Sequence, residues 1–133
     1  MQQSELQERL RRAVRTLETQ PPTGGGRRGE KIRRALLIAA KQASDGYRDV
    51  CVSASPAQFI ERMDFVVSKA KRMSASLTLL VDLEYVDIRN VRDVLVEVRT
   101  LQRILTTSRN AAKRRERHRA PGNRRSTSSE SRA

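Results

Sequence analysis
Apolar residues recur along this chain with a helical period in four separate stretches. Leu6, Leu10, Val14 and Leu17 follow one another at steps of four, four and three, which predicts an amphipathic helix over about residues 4–19. Pro21-Pro22 and Gly24-Gly25-Gly26 end it and predict a flexible connection. Ile32, Leu36, Ala39, Ala43, Tyr47 and Val50 form the inner face of a second helix over about 28–50. The third has the clearest pattern: Phe59, Met63, Val66, Ala70, Met73, Leu77 and Leu80 alternate steps of four and three, the seam of a bundle or coiled coil. Ser55 is placed as its N-cap, Pro56 at the first helical position and Gln58 at the capping-box position, so this helix is expected over 56–84. After a break near Glu84 to Val86, Asp87 caps a fourth helix over 88–112, with Ile88, Val91, Leu95, Val98, Leu101 and Leu105 inward.

No strand-like alternation competes with this pattern. Long helices with short connections favour antiparallel neighbours, so the expected fold is an all-α, up-down-up-down four-helix bundle within residues 1–112. At 133 residues there is room for one such domain and a tail. Leu37, Ile38, Phe65, Leu79 and Val96 fall on the sides away from their own seams. Five apolar side chains outside the core predict an oligomer interface, in a dimer or a closed ring.

Charge changes the picture from a plain bundle to one with a polyanion partner. There are 28 Lys and Arg against 15 Asp and Glu. The surplus lies in two blocks: ten bases and two acids from Arg9 to Lys41, and eight bases and two acids from Lys113 to Ala133. Residues 42–112 carry ten bases and nine acids and read as nearly neutral. Segregated positive charge is the electrostatic footprint of RNA or DNA. Arg11, Arg12 and Arg15 project outward from the first helix, and Lys31, Arg34 and Lys41 from the second; as neighbours these helices are expected to merge them into one basic face, extended by Arg27 and Arg28. Arg outnumbers Lys 23 to 5, and its planar fork suits bidentate phosphate contact. With two Phe, two Tyr and no Trp, stacking on bases has little to work with, so phosphate contacts carry the binding.

The last stretch, 113–133, has no aliphatic residue beyond Ala and Pro and is read as a basic tail, its start able to extend the fourth helix for a turn or so and disorder expected beyond Pro121. Its Lys113, Arg114, Arg115, Arg117 and Arg119 join the nucleic-acid-binding set, raising non-specific affinity. An enzyme is not expected. The glycine-rich run Thr23 to Gly29 lacks the Gly-Lys-Ser/Thr of a phosphate-binding loop, and no strand precedes it. Cys51 and His118 are each the only one of their kind, which leaves no triad and no multi-cysteine zinc site. Glu61 and Asp64, or Asp82 and Glu84, are spaced as salt-bridged helix surface near Arg62 and Lys69 rather than as metal ligands. No metal, cofactor or small-molecule substrate is therefore expected. Apolar runs such as Ala35 to Ala40 are too short to span a membrane and the N-terminus is polar, which predicts no membrane partner and a cytoplasmic location.

The order of these segments resembles a known family. The run KIRRALLIAAKQASDGY at 31–47, then SPAQFIERMDFVVSKAKRMSASLTLLVDLEYVD and a last amphipathic helix ending in RILTTSRN, is similar to the four-helix bundle proteins. That family includes proteins encoded by intervening sequences in bacterial ribosomal RNA genes and Avd, the accessory variability determinants of diversity-generating retroelements. The likeness covers about residues 28–112 and rests on spacing, on Phe59 opening the third helix, on the small residues Ser74 to Ser76, and on the exit Leu83-Glu84-Tyr85-Val86. The resemblance implies a ring, commonly a homopentamer, with a basic surface. For the Avd branch it implies binding to a reverse transcriptase and its template RNA or cDNA during mutagenic retrohoming. The other branch implies an rRNA-associated scaffold with no polymerase partner.

Overall fold
The computed structural model describes residues 1–119. Four helices account for nearly all of them: α1 (Gln3–Glu18), α2 (Gly26–Cys51), α3 (Pro56–Asp82) and α4 (Ile88–Arg119). Each packs against its two chain-adjacent or ring-closing neighbours, while among the described residues the backbones of the diagonals α1–α3 and α2–α4 do not come close. All neighbours are antiparallel. Asp64 meets Arg109 while Thr78 meets Arg99, Arg62 reaches the Asp49 carbonyl, and Arg9 pairs with Glu97.

The predicted seams form the core. Leu10, Met63, Met73, Leu77, Leu80, Leu101 and Leu105 are fully buried. The buried arc is wider than the seam, because each helix has two neighbours: Ala13, Ala40, Val67 and Val94 are buried as well. Ile88 departs from its expected inward position and is exposed, being the first residue of α4 and beside the α3–α4 connection. Leu37, expected outside, is half-buried against the core. It lies on the same side of α2 as Arg33 and Lys41, which bond the end of α1, and so faces that neighbour.

Local chemistry fixes the helix ends. Ser55 Oγ accepts the Gln58 N–H at 3.1 Å, and Gln58 Oε1 accepts the Ala54 N–H at 2.6 Å, a capping box displaced by one residue. Asp87 Oδ1 accepts the Arg89 N–H at 2.9 Å and caps α4.

The glycine-rich connection is docked where a flexible one was expected. Gly24 donates its N–H to the Tyr85 carbonyl at 2.7 Å, and Gly25 adopts φ 81° with its α-carbon against the Tyr85 ring. At Gly29 a β-carbon would stand 1.8 Å from the Gly24 carbonyl oxygen, so only glycine allows this approach. Arg33 completes the corner by donating to the carbonyls of Pro21, Gln20 and Glu18, which α1 leaves without helical partners.

α4 continues past the expected bound at residue 112 for about two turns, so Lys113 to Arg119 belong to the helix and not to the tail. Ala111, Ala112, Lys113, Arg114 and Arg115 are strong helix formers. Ala112 is buried, Asp64 of α3 bonds both Arg109 and Lys113, and the bases of the last turn favour the negative end of the helix dipole. The disorder expected beyond Pro121 lies outside the described residues.

Candidate nucleic-acid interface
The face predicted on α1 and α2 is exposed but interrupted by carboxylates. Arg11, Arg12 and Arg15 converge on Glu8, at 3.4, 3.9 and 3.2 Å. The Arg15 hydrogen bond, with the neighbouring guanidiniums, holds the Glu8 carboxyl below its ordinary range. Arg12 also borders a depression shared with Asp93 and Glu97 and so leans toward α4, away from α2. Lys41 is paired with Glu18 at 3.2 Å. Lys31, Arg34, Arg27 and Arg28 are exposed on the first turns of α2. The six side chains do not make one uninterrupted surface.

Nor do Arg27 and Arg28 meet the bases of the second block. Arg27 and Arg28 stand at the end of the bundle where Gly24 bonds Tyr85. Lys113, Arg114, Arg115, Arg117 and Arg119 stand at the other end, where Arg115 and Arg119 border a depression with Gln3, Cys51 and Phe59. Of these, Lys113 bonds Asp64 at 3.1 Å and Arg119 bonds Glu116 at 3.4 Å, while Arg114, Arg115 and Arg117 are exposed.

A third basic surface starts in the segment that averages to neutral and runs on into the second block. Residues 89, 92, 96, 99, 103, 107, 110, 114 and 117 follow one another at steps of three and four and are all exposed, so they share the outer face of α4. Six are arginines: Arg89, Arg92, Arg99, Arg103, Arg114 and Arg117. The rest are Val96, Thr107 and Asn110, and none is acidic. The acids of α4 lie off this face: Asp93 and Glu97 border α1, Glu116 pairs with Arg119, and Glu97 is held by Arg9 through contacts of 2.6 and 2.8 Å, which pulls its carboxyl below the usual range. Arg99 donates to Thr78 of α3 at 3.1 Å, and Arg103 to Thr100 at 3.4 Å. Arg89 is drawn to Asp87 at 2.6 Å. Beside the stripe, Lys71 and Arg72 of α3 line a shallow depression with Asp64, Ser68 and Arg109. The signal was present in the sequence: from Val98 to Arg115 there are six bases and no acid. It needed the charges to be followed around the helix and not averaged along the chain.

The exposed apolar residues divide between faces. Ile38, Phe65 and Leu79 are 51%, 47% and 40% exposed on the outer side of α2 and α3, and Phe65 lies against Gly46, with Lys69 Nζ 5.2 Å from its ring centre. Val96, 59% exposed, belongs to the arginine stripe of α4 instead. Cys51 is half-buried, and burial raises its thiol pKa, the opposite of an activated nucleophile. Among the described residues no three His, Cys, Asp or Glu gather as metal ligands would, and no helix is long and apolar enough to cross a membrane.

No protein-family model matches the chain, and no curated protein or solved structure matches it.

Proposed function
We propose that this protein is a non-catalytic, nucleic-acid-binding accessory protein that holds a phosphate backbone along α4. One observation carries the reading: six exposed arginines lie on one face of a single helix, and only Arg89 at its first turn is paired with a carboxylate, that of Asp87. Such a stripe raises the free energy of the folded protein by self-repulsion unless a polyanion screens it. By the family resemblance of the sequence, the partner is the reverse transcriptase of a diversity-generating retroelement, and the bundle keeps template RNA or cDNA against it. Ile38, Phe65 and Leu79 are available to join copies of the bundle into the ring that the same resemblance implies.

Binding of a labelled RNA should weaken about a thousandfold between 50 and 200 mM salt if about six phosphates are neutralised. Replacing Arg92, Arg99 and Arg103 by Gln should flatten that dependence more than replacing Arg11, Arg12 and Arg15, because Glu8 already screens the α1 trio. Equal effects of the two triple variants would remove α4 as the carrier. Co-expression tests the partner: a stable complex with a reverse transcriptase supports the retroelement reading, while recovery of rRNA alone points to the scaffold branch.

A further inference from the structure
The spacing of the stripe identifies the form of nucleic acid it takes, given that it binds nucleic acid at all. Its six arginines fall into three pairs, Arg89 with Arg92, Arg99 with Arg103, and Arg114 with Arg117. At a rise of about 1.5 Å per residue, the pair centres lie about 16 and about 22 Å apart, and the outer two about 38 Å apart. At 3.6 residues per turn, all six directions fall within an arc of about 80°. A line along one face of a duplex crosses a given strand once per turn, about 34–36 Å in the B form, and crosses the other strand once in between. The three pairs repeat that rhythm. Uncharged residues occupy the intervals, Val96 in the first and Thr107 and Asn110 in the second, where a groove and not a phosphate would face the protein.

We infer that α4 lies along the axis of a double-stranded nucleic acid, its outer arginine pairs on one strand's phosphates a turn apart and the middle pair on the other strand's. A single strand has no such fixed rhythm and is ordinarily held by stacking on aromatic rings. None is in the stripe: Tyr47 is buried, Phe59 and Tyr85 are half-buried, and Phe65 lies on the α2 side of α3 beneath Lys69. Arg89 is shared with Asp87, which makes the first pair the weakest and the middle pair the one to test.

The experiment is fluorescence anisotropy at one moderate salt concentration. The probes are DNA and RNA duplexes of about two turns, with oligo-dT and oligo-U single strands of equal length. Duplexes should bind about tenfold or more tighter than single strands, the order of discrimination that several extra backbone contacts give. R99Q/R103Q, checked for retained helicity by circular dichroism, should lose most of that preference. Equal or tighter binding of the single strands overturns this inference while leaving a nucleic-acid-binding function standing. So does a preference for duplex that the folded R99Q/R103Q variant keeps. Binding to none of the four probes overturns both readings together.

Discussion
Among the described residues, Glu84 is the non-glycine residue with a left-handed backbone, its φ at 60°. It is the left-handed residue of a Schellman ending to α3, in which Tyr85 donates its N–H to the Leu80 carbonyl at 2.9 Å and Glu84 to Val81 at 3.0 Å. A side chain there costs about 1–2 kcal/mol, against which glycine loses part of the gain through unfolded-state entropy. Glu84→Gly should therefore stabilise the bundle by about 1 kcal/mol and raise Tm by a few degrees. A thermal melt with Tm unchanged or lowered would show that the Glu84 side chain contributes more than its backbone costs. The ending itself was legible as a break near Glu84. Its geometry was not, because the left-handed residue is neither Gly nor Asn and the Tyr85 carbonyl it presents is met by Gly24, some sixty residues earlier.

At the scale of elements, caps and outer faces set what each helix contributes. Asp87 is held at a pKa of about 2, chiefly by its hydrogen bonds from the Arg89 side chain and N–H. Its folded pKa lies below the ordinary 3.8, so its contribution to stability is fully present above about pH 4 and is lost as pH falls through about 2. Asp87→Asn keeps an N-cap acceptor but cannot titrate, and should flatten the loss of stability across that acid window in urea melts at pH 2, 3 and 5. An unaltered acid profile would place the responsible carboxylate elsewhere. The capping positions Ser55 and Asp87 were readable from sequence because a cap is local. The end of α4 was not, since Lys113 to Arg119 read as a charged tail until Asp64 of α3 and the burial of Ala112 are seen to hold the preceding turns.

Across the whole molecule, the association of copies is the test that belongs to the assembled bundle. Ile38 and Phe65 leave apolar area uncovered on the α2–α3 side, so sedimentation at micromolar concentration is expected to give an oligomer, and I38S/F65S a smaller species of unchanged helicity. A monomeric parent protein would reduce this face to scattered surface residues. The sequence by itself determined the all-α bundle, its four seams and its basic character, because helical periodicity and capping act between residues three and four apart. Only the tertiary structure decided which charges remain for a partner. Arg9 is held by Glu97 and Arg33 by the carbonyls closing α1, so both support the fold. Glu8 screens the α1 trio, and Arg27 and Arg28 lie at the end of the bundle opposite Lys113 to Arg119. The outer face of α4 keeps its middle arginines together because Asp93 and Glu97 turn toward α1, and that direction is set by packing against neighbours distant along the chain.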